Sequence, residues 1–249
     1  MRIKSSCKLL FLILLAFSIS GLAQSKKNAR PGDTDKPKKE TPPIESKKKP
    51  PVYFYEFEKP EFLIARIRIE HDENGLGKIA FQKKDFENDI VEPLNLSSAT
   101  IKKLKTNWGE LNFLDSEEDY QSKREYPHLG TMRISMKKEK RARTAEFNWT
   151  DNPAARALVD EYRKIANKFV WMFDINTARQ NQPLESPKIM RRLDTFLSRN
   201  AISDPEQMLP FLKELSDDER IPLISRNHAS RIAKKIEDAK KRNEIIDKE

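Results

Sequence analysis

The sequence predicts an α+β fold: duplicated β-hairpin/helix units in ββαββα order, forming a four-stranded antiparallel sheet with the helices on one face, plus a C-terminal helical extension. Three observations support it. Apolar and polar residues alternate in four short runs, apolar residues recur at helical spacing in two longer segments, and turn-forming residues separate the runs of each pair.

The first run places Leu63, Ala65, Ile67 and Ile69 on one parity and Arg66, Arg68 and Glu70 on the other, as expected of a strand buried on one side. "HDENGLGK" follows, and its Asn74-Gly75 pair is a hairpin signal because both residues tolerate positive φ. The returning strand turns Ile79 and Phe81 inward. In "LSSATIKKLKTNWGELNFL", Ser97 or Ser98 can cap a helix whose apolar stripe is Ile101, Leu104, Trp108 and Leu111.

The same order then returns. Met132, Ile134 and Met136 alternate, "KKEKR" supplies the turn, and Ala145, Phe147 and Trp149 alternate on the way back. Asp151 or Asn152 ahead of Pro153 opens a second helix, since proline in the first turn loses no hydrogen bond. Leu158, Tyr162, Ile165, Phe169 and Phe173 form its stripe, and "FVWMF" (169–173) is apolar all round, so that end must be covered on two sides. The halves share a layout and little residue identity.

The cover is expected from 184–249, a helical extension packed on the domain at 52–183. Ser186-Pro187 opens one helix, and Ser203 to Glu206 and Ser216 to Glu219 have the spacing of capping boxes. Pro210 and Pro222 fall inside the helices those boxes open, which implies kinks or short first turns. "VYFYEFEKPEF", with Tyr53, Tyr55 and Phe57 on one parity, is either a fifth strand closing the core or an edge strand that adds to a partner.

Residues 1–23 read as a secretory signal peptide: Arg2, Lys4 and Lys8, an apolar run at 9–20, then small residues ending at Ala23, where cleavage is expected. The alternative is a retained anchor, but 9–23 as a helix spans roughly 22 Å, short of the roughly 30 Å hydrocarbon core. Cys7, the single cysteine, precedes the apolar run, which argues against lipidation, and its removal would leave no disulfide, thiolate metal site or cysteine nucleophile.

Residues 24–51 hold nine Lys/Arg, four Asp/Glu and six prolines, and Ile44 is their only large apolar residue. Such a segment buries too little to offset its ordering entropy and is expected to be a disordered tether, reaching about 85 Å if extended at about 3.1 Å per residue. The whole chain carries +9, of which the leader accounts for +3 and the tether for +5, leaving +1 on 52–249. A nucleic-acid reader would carry its basic excess on the folded part, so that class is set aside. The lysines permit at most peripheral contact with an anionic membrane surface.

No catalytic constellation emerges. His71, His128 and His228 are isolated in a turn, a loop and a helix; "HDENG" lacks the alternating ligands of a calcium loop; and "GLG" (75–77) opens no helix. Ser135 and Lys138 have a Ser-x-x-Lys spacing that serves catalysis on a helix, but a strand sends them to opposite faces. No metal or cofactor is implied. Asn95 and Asn148 begin sequons, relevant only if the host glycosylates.

One surface stands out. The open sheet face is expected to carry Arg66, Arg68, Lys78, Lys84, Arg133 and Lys137 against Glu70 and Glu146, without aromatic stacking platforms. Arginines fixed on neighbouring strands can fork onto carboxylates. The expectation is therefore an exported, periplasmic or secreted, non-enzymatic binding module that recognises an acidic protein or envelope polymer. The alternative is a small cell-envelope hydrolase with a carboxylate-based site that no residue pattern singles out. Oligomeric state stays open.

Overall fold

The computed structural model describes residues 50–84 and 86–246, with side chains to Arg242. The expected leader and all but the last two residues of the expected tether lie outside the described residues. The described residues form one α+β unit with a single antiparallel sheet of six strands, not four, and five α-helices.

The strands are β1 (Val52–Glu58), β2 (Ile64–Asp72), β3 (Leu76–Lys83), β4 (Ile90–Asn95), β5 (Thr131–Lys138) and β6 (Arg141–Phe147), in the spatial order β4-β3-β2-β1-β5-β6. The two expected hairpins are β2-β3 and β5-β6, and the order is ββββαββα before the extension, a correction to ββαββα. "VYFYEFE" is neither an edge nor a late addition: β1 pairs with β2 on one side and β5 on the other, joining the hairpins through the middle. No proline or glycine interrupts it, so both ladders can close. The strand missing from the sequence reading, β4, holds Pro93 and sits at the edge, where a residue without an N–H is tolerated.

Turn chemistry follows the sequence. Gly75 has φ +75°, and a Cβ there would meet Ile101 at 2.8 Å, so the β2-β3 turn needs glycine for both conformation and room. Asp72 accepts from the N–H groups of Asn74 (2.8 Å) and Leu76 (3.0 Å), closing the same turn. Between β5 and β6 the turn is Glu139-Lys140, with Glu139 at φ 55°.

One face of the sheet is covered by α1 (Ser98–Glu110) and α2 (Pro153–Asn181). Ser97 caps α1 by accepting from Thr100 N–H, and Asn152 caps α2 ahead of Pro153 by accepting from Ala155 N–H. Tyr53 packs on Trp108 of α1 and Tyr55 stacks on Tyr162 of α2, ring centroids 5.4 and 5.0 Å apart. His71 lies in β2 rather than in a turn and is buried there.

The extension comprises α3 (Ser186–Ser198), α4 (Leu209–Asp217) and α5 (Leu223–Ile246). It has its own core of Met190, Leu193, Met208, Leu212, Leu215 and Ile232, into which α2 sends Trp171 and Ile175. Phe169, Val170 and Phe173 pack on the sheet core, so "FVWMF" is covered on two sides as its composition demands. Pro210 occupies the first turn of α4 and Pro222 precedes α5, so neither kinks a helix. Neither expected capping box forms. Ser203 Oγ donates to Glu161 (2.7 Å), and Ser216 closes the end of α4 by donating to Lys213 O (2.7 Å). Among the described residues no helix is long and apolar enough to cross a membrane.

Candidate functional site

Among the described residues no helix covers the other face of the sheet, and strand register arranges its side chains in rows. One row crosses all six strands as Val91, Ala80, Arg68, Glu56, Arg133 and Glu146; the next runs Pro93, Lys78, Glu70, Phe54, Ser135 and Thr144. Alternation produces both, because residues facing the core and residues facing out must swap at every step. Ala80, Ser135 and Thr144 are small, and around Phe54 they leave a trough of about 690 Å³. Arg68, Arg133, Lys78 and Asp89 also line it, together with Val91, which is 60% exposed.

The charges in the trough are joined. Arg133 contacts Glu146 at 2.5 Å and both Glu56 and Glu58 at 3.3 Å. Its guanidinium is held above its ordinary pKa, first by the hydrogen bond to Glu146. Asp89, in the loop before β4, spans two arginines, accepting from Arg66 at 2.9 Å and Arg68 at 3.0 Å. Lys78 lies 3.2 Å from Glu70. Arg66 Nε is buried with no hydrogen-bond partner.

Five of the six expected residues, Arg66, Arg68, Lys78, Arg133 and Lys137, share this face. Lys84 does not join the trough; it falls in the exposed turn beyond β3. Lys137, at the end of the β5 row opposite Val52, has no ion partner among the described residues. The sequence reading set only Glu70 and Glu146 against the cations and expected no aromatic side chain on this face; it missed Glu56, Glu58, Asp89 and Phe54. The parity of Tyr53, Tyr55 and Phe57 already placed Glu56 and Glu58 outward, so a central position for β1 would have revealed both. Asp89 lies in a loop and gave no signal.

The face can therefore offer guanidinium forks, carboxylates and a small apolar floor side by side, in fixed positions on rigid strands. His71, Tyr162 and Lys168 are buried in the interior and line no part of the trough; buried Tyr55 borders it. Among the described residues no cluster of His, Cys, Asp and Glu could hold a metal ion. The fold and site define an α+β protein with an open, ion-paired sheet face. No protein-family model matches the chain, and no curated protein matches it.

Proposed function

We propose that this is an exported, non-enzymatic binding module whose working surface is the open sheet face, and whose partner is an acidic polypeptide or envelope polymer. The observation that carries the reading is the trough: among the described residues no helix covers this face of the six strands, and its small residues surround Phe54 with a shaped recess. Exposed ion pairs contribute about 0–1 kcal/mol each, so an incoming carboxylate can replace the exposed Glu146 at the Arg133 guanidinium with little net change. Phe54, Ala80 and Val91 add apolar area, at about 25 cal/mol per Å² covered. Arg66, Arg68 and Arg133 give directional, forked contacts; Lys78 and Lys137 give adjustable ones.

Reversing the arginines is a poor test because each is knitted to carboxylates of the protein, and the new charge would repel them. Lys78→Gln with Lys137→Glu leaves the arginine lattice intact and sets no new charge beside Glu70. Immobilised poly-L-glutamate serves as the acidic probe, and all variants keep the same lysine-rich segment, so differences report the face. The double variant is expected to be retained roughly tenfold more weakly, on the scale of two exposed charge contacts, while Lys84→Glu behaves as wild type. Equal loss from both variants would overturn the reading.

A further inference from the structure

The starts of α3 and α5 lie side by side, with Ser186 Oγ and Ser225 Oγ 2.8 Å apart. Next to this contact is a shallow recess of about 560 Å³ lined by Pro187, Arg191, Leu223, Ile224, Asn227, His228 and Arg231. Leu223 is 60% and Ile224 64% exposed, and Leu184, two residues ahead of Ser186, is 85% exposed. These are large apolar side chains projecting into solvent from a chain that is 35% charged residues. Contiguous exposed apolar groups mark contact surfaces, whereas isolated ones carry no such meaning.

Glu185 is exposed beside Leu184, but the recess itself is cationic. The recess is lined by two arginines and no carboxylate. Arg191, Arg231 and the neighbouring Lys188 are exposed, and none has an ion partner among the described residues. On the sheet face, by contrast, every arginine is paired. Asp194, the nearest acid on α3, is already engaged by Lys235 at 2.8 Å and His228 at 3.4 Å. The occupant must therefore bring negative charge and accept protruding apolar groups. A second copy brings the same cations and is disfavoured. A folded acidic protein would need sockets for three leucine-sized knobs, whereas a bilayer takes up projecting apolar side chains at any register.

We infer that this end of the helical extension docks on an anionic lipid bilayer. Leu184, Leu223 and Ile224 enter the boundary between headgroups and acyl chains, and Lys188, Arg191 and Arg231 pair with lipid phosphates. The inference is independent of the open sheet face. The lysine-rich residues 24–51 carry +5 and favour the same kind of surface, so sedimentation with vesicles alone does not isolate the contact.

A reporter at the recess does. In the full chain with Cys7→Ser, Leu223→Cys is labelled with an environment-sensitive dye, and Val91→Cys on the open sheet face gives the matching control. With phosphatidylglycerol vesicles carrying a nitroxide lipid, the dye at 223 is expected to shift to the blue and be quenched, while the dye at 91 does neither. Phosphatidylcholine vesicles produce no change at either site. Adding Arg191→Glu and Arg231→Glu, both at exposed positions without an ion partner among the described residues, weakens the response at 223 by roughly thirtyfold, the scale of two basic contacts to an anionic surface. Circular dichroism confirms that the variants fold. Sedimentation with vesicles while the dye at 223 stays unquenched overturns the inference, as does equal quenching on phosphatidylcholine. So does a response at 223 to an acidic peptide but not to vesicles, which would assign the recess to a protein partner.

Discussion

At the scale of the residue, the most informative side chain is His71. Its Nδ1 lies 2.7 Å from the Asp72 carbonyl and its Nε2 lies 2.9 Å from the Tyr162 hydroxyl. A carbonyl can only accept, so Nδ1 carries the proton and Nε2 accepts from Tyr162, whose oxygen in turn accepts from Trp108 Nε1 at 3.1 Å. Every polar atom in this chain of contacts is satisfied only while the imidazole is neutral. A second proton, on Nε2, would take away the acceptor of the Tyr162 hydroxyl hydrogen and leave that hydrogen unpaired in the core. Burial also holds the His71 pKa below its ordinary 6.5, so the unfolded chain takes up the proton first. The stability from the neutral ring is complete above about pH 6.5 and declines as pH falls below it. Urea unfolding at pH 7.5 and pH 5 should show that loss in the wild-type protein and a smaller one in His71→Leu. The variant should also be about 1–3 kcal/mol less stable at pH 7.5, because Tyr162 loses its acceptor inside the core. An unchanged difference between the two pH values would remove His71 from the account.

At the scale of the element, the junction between α1 and the extension shows tertiary contacts overruling local motifs. Asp204 has φ 50°, and from that conformation its carboxylate reaches back to the start of α1. It accepts from Ser97 N–H at 3.1 Å, from the Ser97 hydroxyl and from Thr100 Oγ1 at 2.8 Å. Ser203 lies 2.8 Å from Thr100 Oγ1 and donates to Glu161 of α2. Nearby, Lys168 donates to Gln207 at 2.7 Å, and its burial lowers the lysine's pKa. The Ser203 to Glu206 spacing is genuine, but the hydroxyl that would cap a helix is worth more in this buried network. Asp204→Ala should cost about 2–3 kcal/mol, since it removes charge-assisted hydrogen bonds at a helix start and leaves the Ser97 N–H without its acceptor. Chemical denaturation measures it, and a loss under 0.5 kcal/mol would make the network incidental. The element scale also separates what could be read from what could not. Strands β2, β3, β5 and β6 were legible because each buries one face and so alternates, and α1 and α2 were legible from their caps and stripes. Strand β4 was not, because Pro93 and the absence of alternation hide an edge strand.

At the scale of the whole molecule, the arrangement turns on β1 and α2. The first joins two hairpins into a six-stranded sheet, and the second, 29 residues long, runs from the sheet core into the core of the extension. That β1 is central cannot be read from local pattern, because its pairing with the distant β5, Glu58 opposite Thr131, leaves no mark on periodicity. The same blindness concealed the character of the candidate site. Arg66, Arg68, Lys78, Arg133 and Lys137 were placed on the open face correctly, but Glu56 and Glu58 became their neighbours only once β1 lay between β2 and β5. The expected basic surface is therefore an ion-paired lattice around a small apolar recess. The proposal that this recess receives an acidic partner is tested most directly by mapping amide resonances during titration of the ¹⁵N-labelled chain with poly-L-glutamate. The account predicts shifts on the open sheet face, concentrated at Phe54, Arg68, Ala80, Ser135 and Thr144. Shifts confined to residues 24–51, with the open sheet face silent, would contradict it.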